Sequence, residues 1–542
     1  MNGWRKQVEQ RSLRLLQNGF FWAALVTAVF AANAMWCARN RLAGDVAWYL
    51  YAVQRITHGA ILYRDIQDIN MPVVYLLYLP LAWLQRLSGL PIEAWLYGAI
   101  WCLVGALLLA IWRIPELSRT ARGVAVLSTA FAALTLNRFQ LGQRDPVCAF
   151  LFGGLVVATY VRIRSPQSRS EWPSWIGVAA AGLGMAMKPH FLLPWALLSA
   201  ALVWHVGARR AVFMKECWAP FAISAVSWIV TLTAFPDFVT MVKVASRYYS
   251  GMNVSAYEFS PLMVPLLVAA VAFLRKTESQ KAESTLRPLI LLSALATAGF
   301  SVECIAQGKG FPYHLTPAMF WGTVTAGLLF VEPIERGAAG WRMPAAIVSV
   351  QVALVAYSWW TAALPPPTFF TRTNVEEFVT QHARGRTVLT LSTDLRTGFP
   401  LILEADATNA RADAQLWTIG ALYQDQVMRA GDSSEPVAAR YHTRAEMSGD
   451  ERFWFDEVVR IVTVNHPAVI LVQTADPKWG LGRLRFDFID YFSTDERFKE
   501  ALRPYKRGPA NDQRLVLFLE SAGQLAGSRP PATARTVQQE NP

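Results

Sequence analysis

Apolar residues run along this chain in blocks of roughly 20, the length a helix needs to cross the hydrocarbon of a bilayer, and the blocks stop near residue 364. They fall at about 17–37, 91–112, 121–137, 146–162, 173–188, 189–207, 217–236, 259–275, 288–306, 312–332 and 343–363, which predicts about eleven membrane helices. Two shorter stretches lie between the first and second blocks. Val46 to His58 carries Trp48, Tyr49, Ala52, Val53 and Ile56 at helical spacing, and Met71-Pro72 opens a second stretch rich in Tyr75, Tyr78 and Trp83. The first is too short and too polar to span, and a second span would reverse the later charge asymmetry, so both read as surface helices in a long first external loop, residues 38–90.

The pattern changes after Pro365-Pro366-Pro367. A helix is predicted over Asn374–His382, helical stretches near 420–430 and 449–464, and buried strands at Thr387–Leu391, Ala468–Val472 and Arg514–Leu519. The expected fold is a polytopic α-helical membrane domain over 1–363 and an α/β domain over 364–522. A polar tail, 523–542, has the composition of a disordered segment.

Composition agrees: 53% of the 542 residues are hydrophobic. The net charge of +12 would suggest a nucleic-acid partner in a soluble protein, but here the basic residues cluster in alternate connections between apolar blocks. Arg5, Lys6, Arg11 and Arg14 precede the first; Arg113, Arg119 and Arg122, then Arg162, Arg164 and Arg169, then Arg209, Arg210 and Lys215 follow in turn. Lys and Arg accumulate in cytoplasmic loops, so the amino terminus is expected in the cytoplasm and residues 364–542 in the periplasm, with the chain in the bacterial inner membrane. The first block lacks a small-residue cleavage site and is read as an anchor. All five cysteines lie in or beside apolar blocks, leaving the external domain without disulfides or a Cys-x-x-Cys metal pattern.

The candidate chemistry lies in the other set of connections, where cations should be scarce. Asp45 sits at the mouth of the first helix, and Asp65 and Arg64 follow in the same loop. Arg144-Asp145-Pro146 opens the fourth block; Asp before Pro also suits a plain helix start. Lys188-Pro189 occupies a turn with almost no loop. Arg247 and Tyr248 mark the next external loop, and Gln307-Gly308-Lys309-Gly310-Phe311-Pro312-Tyr313-His314 packs two glycines, a lysine, a tyrosine and a histidine into the last. The acids Asp45 and Asp145 together with five cations on one membrane face fit a phosphate whose lipid tail stays in the bilayer. The cations Lys188, Lys309, Arg247, Arg144 and Arg64 would hold the leaving phosphate, a carboxylate would take a proton from an acceptor hydroxyl, and Trp48, Tyr49, Asp65, Tyr248, Gln307, Tyr313 and His314 would line the pocket.

These residues resemble the GT-C superfamily of membrane glycosyltransferases that use polyprenyl-phosphate sugars, which includes protein O-mannosyltransferases and lipid A aminoarabinose transferases. The resemblance rests on Gly44-Asp45-Val46-Ala47-Trp48-Tyr49, Gly59-x-x-x-Tyr63-Arg64-Asp65, Met71-Pro72-Val73-Val74-Tyr75, Arg144-Asp145-Pro146, Lys188-Pro189 and the Gln307 to His314 turn, and spans about the first 330 residues. It implies an inverting transfer from an undecaprenyl- or decaprenyl-phosphate sugar to a hydroxyl of a lipid, glycan or protein, with Asp45 as general base. In some members the second-loop acid, here Asp145, assists acceptor or metal binding, so a divalent cation stays open although no cofactor motif demands one. The pairs Asp45-Val46 and Met71-Pro72 lack the second acid and second proline common in relatives. The alternative is a multi-span transporter or flippase of a lipid-linked or anionic substrate, which would place polar groups at mid-span and show internal repeats. Here they lie at one face, and no repeat is evident.

Overall fold

The structure is a computed structural model that describes residues 2–165, 172–249, 256–278, 285–309, 311–335, 342–365, 373–431 and 435–520. The tail expected at 523–542 and most of the triple-proline exit lie outside the described residues. The chain divides into two compact units, Met1–Thr371 and Arg372–Pro542.

The first unit is helical. In chain order it comprises α1 (Asn2–Leu16), α2 (Gly19–Arg39), α3 (Gly44–Thr57), α4 (Pro72–Ser88), α5 (Ile92–Trp112), α6 (Arg119–Phe131), α7 (Arg144–Arg164), α8 (Trp172–Ala186), α9 (Leu192–Val206) and α10 (Ala208–Ala211). It continues with α11 (Lys215–Ala234), α12 (Pro236–Tyr249), α13 (Met263–Glu278), α14 (Arg287–Gln307), α15 (Pro312–Glu335) and α16 (Met343–Ala363). Among the described residues, nine helices are long and apolar enough to cross a membrane. The other two expected spans are helical but shorter: α6 runs on through a π-helical turn, Ala132–Leu136, and α8 has 15 residues. The ring of Pro189 confines Lys188 to an extended backbone, φ −151° and ψ 137°, so α8 cannot continue.

Hydrogen bonds fix which helix ends lie together. At one end Ser118 donates to Glu335, Arg287 pairs with Glu332 at 3.1 Å and Arg162 with Glu216 at 3.2 Å. At the other, Lys188 pairs with Asp145 and Arg39 donates to the Ala362 carbonyl. The helices are not equally enclosed. In α7, α14 and α15, 61–67% of the apolar window is buried, against 22–33% in the other six spans. These three form the inner layer, and they carry Asp145, Gln307 and Tyr313. Close approach of α8 to α7 depends on Gly154 and Gly177, since a Cβ on Gly154 would lie 2.5 Å from the Gly177 Cα. Small residues let membrane helices meet this closely. Gly154→Leu is therefore expected to cost about 1–3 kcal/mol through overpacking, read as a lower unfolding temperature in detergent; an unchanged temperature would show that the contact is dispensable.

The first loop folds as two helices, α3 and α4, but α3 is enclosed and does not merely lie on a surface. Gly44 and every residue from Val46 to Val53 are buried, because the polar loop that follows, α4 and the start of α7 close over it.

The second unit contains α17 (Asn374–Ala383), capped by a reciprocal Thr373/Glu376 box, and seven strands: β1 (Thr387–Leu391), β2 (Thr408–Asn409), β3 (Val437–Ala438), β4 (Val469–Gln473), β5 (Leu484–Arg485), β6 (Tyr505–Ala510) and β7 (Arg514–Leu519). Five form one sheet in the order β2-β1-β4-β7-β6, parallel across β2, β1 and β4 and antiparallel thereafter, and β3 pairs with β5. The three runs expected as strands are β1, β4 and β7. Their apolar continuity marks burial on both faces. Strand β6 lacks that signal because it is an edge strand whose residues are all at least partly exposed.

Candidate active site

The site is organised by three consecutive residues at the start of α7. Gly142, at φ +87°, turns the backbone into this segment with Val46 and Leu96 against its Cα, and its carbonyl accepts from the Tyr78 hydroxyl of α4. Gln143, Arg144 and Asp145 then diverge. Gln143 Nε2 donates to Asp45 Oδ2 at 2.6 Å, tying α7 to the first turn of α3. Arg144 donates to Asn70 Oδ1, tying it to the first loop. Asp145 Oδ1 accepts from Lys188 Nζ at 2.8 Å, tying it to the turn after α8.

Each branch continues inward. Asn70 belongs to a cluster centred on Asp68, whose carboxylate accepts from Trp48 Nε1 at 2.6 Å, the Tyr75 hydroxyl, the Ile69 and Asn70 amides and Asn70 Nδ2. Tyr63, at φ +71°, donates to the Asn70 carbonyl at 2.5 Å. Asp68 is thus a fully used structural carboxylate. Asp68→Ala is expected to loosen the loop, raising protease cleavage between α3 and α4; unchanged resistance would show that the remaining bonds suffice. Tyr49 is buried, stacked on Tyr78 with centroids 5.9 Å apart and edge-on to Tyr75 at 6.2 Å.

On the other branch Lys188 Nζ also donates to Gln307 Oε1 at 3.0 Å, and Gln307 Nε2 donates to Glu303 Oε1. The ammonium lies 5.6 Å from the Tyr313 ring centroid and 5.5 Å from that of Phe191. Among the described residues two of its three hydrogens are used, which leaves one for a further acceptor. Burial pushes the Lys188 pKa below its ordinary value, and the Asp145 carboxylate beside it pushes the other way. His314 is buried with its ring edge-on to Tyr313, 4.5 Å between centroids, and its Nδ1 has no hydrogen-bond partner among the described residues. Lys309 is buried after the left-handed Gly308 that ends α14, and burial lowers its pKa too.

The structure thus brings Asp45, Trp48, Tyr49, Arg144, Asp145, Lys188, Gln307, Tyr313 and His314 into one connected neighbourhood. Other sequence candidates take different places. Arg64 is exposed and pairs with Asp237 of α12 at 2.6 Å. Asp65 is exposed and accepts from the Ile61 amide at 2.8 Å, closing a local turn. Arg247 and Tyr248 lie in the last turn of α12, the first exposed and the second half-buried. Four participants escaped the sequence reading: Asp68, Asn70, Gln143 and Glu303. Glu303 had a signal, being an ionisable residue inside an apolar span.

Two helix N-termini, of α3 and α7, present their amides and positive dipole ends where Asp45 and Asp145 stand. Among the described residues no group of three His, Cys, Asp or Glu side chains could hold a metal ion, and Asp68, the acid nearest in sequence to Asp65, is saturated by donors.

No protein-family model and no curated protein matches the sequence. Solved structures do. ArnT from Cupriavidus metallidurans in the apo state aligns with a TM-score of 0.56 and 12% identity, covering 92% of this chain and 97% of that one. The same organism's ArnT bound to undecaprenyl phosphate aligns with a TM-score of 0.49 and 14% identity, covering 94% and 99%. At 12% identity the likeness to the apo structure is one of fold alone: this chain shares its overall architecture.

Proposed function

We propose that this chain is an inner-membrane glycosyltransferase that moves a sugar from a polyprenyl phosphate to an acceptor hydroxyl on the periplasmic face. The observation that carries the reading is the meeting, on Gln143-Arg144-Asp145, of an accessible acid, Asp45, with a buried ammonium, Lys188, that has a hydrogen to spare. The ArnT-like fold supports it.

In this reading the acceptor oxygen attacks the anomeric carbon, and its proton passes to the Asp45 carboxylate. The carbon–oxygen bond to phosphate breaks, and the phosphate leaves with the electron pair. A single in-line displacement inverts the anomeric centre. Lys188 contacts the phosphate and neutralises charge that grows as the bond breaks, an interaction strengthened by the enclosed site. Arg144, held by Asn70, and Lys309 add positive potential; Tyr313 and His314 close the wall. Gln143 keeps Asp45 aimed by holding one carboxylate oxygen. The basic connections support a cytoplasmic amino terminus and an external position for this end of the bundle.

The test is transfer of labelled sugar from a panel of polyprenyl-monophosphate donors by the full-length protein in proteoliposomes supplied with membrane extract. Product whose anomeric configuration is opposite to that of the donor is the expected result. Absence of transfer from every donor would overturn the reading.

A further inference from the structure

Glu303 is a carboxylate that the proposed chemistry does not use. It lies one turn before the end of α14, only 1% exposed. An acid enclosed in a membrane helix is costly unless it serves a purpose. Its Oε1 accepts from Gln307 Nε2 one helical turn on; its Oε2 has no hydrogen-bond partner among the described residues. The residue also lines a cavity of about 340 Å³ with Pro189, His190, Leu192, Trp195 and Ala306, an apolar space opening beside the Lys188 turn.

The linkage to Lys188 has a definite sense. A carboxamide has a donor side and an acceptor side, and Lys188 can only donate, so Gln307 turns its carbonyl to the ammonium and its NH2 to Glu303. Glu303 therefore holds the Gln307 NH2 toward itself and presents the carbonyl to Lys188. The charged and titratable groups facing the ammonium are Asp145, Arg144 and Cys148 from α7, Glu303 and Cys304 from α14, Tyr313 and His314 from α15 and His190 from its own turn. Two are carboxylic acids. Of these, Asp145 touches the ammonium directly, while Glu303 acts across Gln307.

We propose that Glu303 is a positioning residue for the donor phosphate, orienting Lys188 through Gln307 and setting its carboxyl group across that carboxamide from the ammonium. This rests on the polyprenyl-phosphate reading. The sign follows from electrostatics: burial lowers the Lys188 pKa while Asp145 and Glu303 raise it, so removing the Glu303 charge lowers it further. Phosphate binding that needs the ammonium is full below the Lys188 pKa and lost as pH rises through it. Without Glu303 the loss comes at lower pH.

The experiment is calorimetric titration of a short-chain polyprenyl monophosphate into purified full-length protein in detergent, at a series of pH values from 7.5 to 10. A phosphate monoester has its second pKa near 6, so the ligand stays a dianion throughout that range. Glu303→Gln keeps an acceptor for Gln307 and removes the charge. Its alkaline midpoint is expected to fall by about one pH unit, giving about tenfold weaker binding above the wild-type midpoint and binding within about twofold below its own. Gln307→Leu breaks the orientation and leaves the charge, so binding is expected to weaken at every pH with the midpoint retained. Superposable curves for wild type and Glu303→Gln, or uniform weakening without a midpoint shift, would overturn the inference while leaving the transferase reading intact. A wild-type protein that binds no polyprenyl phosphate would remove both.

Discussion

Asp45→Asn is expected to lower sugar transfer by about 10²–10⁴-fold, the range that a positioned general base contributes, with little change in donor affinity or stability. The amide is nearly isosteric with the carboxylate. Its carbonyl oxygen can still accept from Gln143 Nε2, so the tether between α3 and α7 at 2.6 Å survives. The loss of negative charge at the start of α3 costs at most about 1 kcal/mol of helix-dipole interaction. Lys188 and its partners are untouched, because the three arms that leave Gln143, Arg144 and Asp145 are separate. What the variant lacks is a site for the acceptor's proton. The measurements are initial rates at saturating donor, donor titration and thermal unfolding, all on the same preparation. A rate within tenfold of wild type would take Asp45 out of the proton-transfer step and shift attention to Asp145.

The parts of this arrangement legible in the sequence are those with a one-dimensional signature. Long apolar blocks marked the bundle, and Lys188-Pro189 marked a helix stop that the structure reproduces. Acids at span mouths marked Asp45 and Asp145. Pairings were not legible, because they join residues far apart in sequence. Nothing near Arg64 announces Asp237, 173 positions away, as its partner. Nothing in the sequence singles out Asp68, yet its neighbours Ile69 and Asn70 turn their amides onto it and Trp48 and Tyr75 reach it from two helices. Glu303 was passed over because α14 is apolar enough to count as a span even with an acid in it. The enclosure of α3 was hidden for a different reason: an amphipathic pattern shows that one face is apolar, and says nothing of what covers the other.

Lys188→Met is expected to be the most destabilising single change at the site. Asp145 is fully buried, and the Lys188 ammonium at 2.8 Å is the cation that compensates it. Its other oxygen has no hydrogen-bond partner among the described residues. Removing one member of a buried pair leaves an uncompensated charge and costs about 3–5 kcal/mol, whereas replacing both members by neutral groups of similar size is often neutral or stabilising. Asp145→Asn should cost less than Lys188→Met, since Lys188 keeps Gln307 at 3.0 Å and the amide oxygen can still accept. The double variant, Asp145→Asn with Lys188→Met, should therefore unfold at a temperature close to wild type while binding donor no better than Lys188→Met alone. Stability and function part company in that prediction. If the pair existed to hold α7 against the turn after α8, the double variant would be as unstable as the worse single one. If Lys188 did not contact the donor phosphate, binding would return with stability. Recovery of the unfolding temperature without recovery of binding is the result that identifies a buried ion pair kept for its substrate, since a neutral pair would hold these helices as well and only the charged one can meet a leaving phosphate.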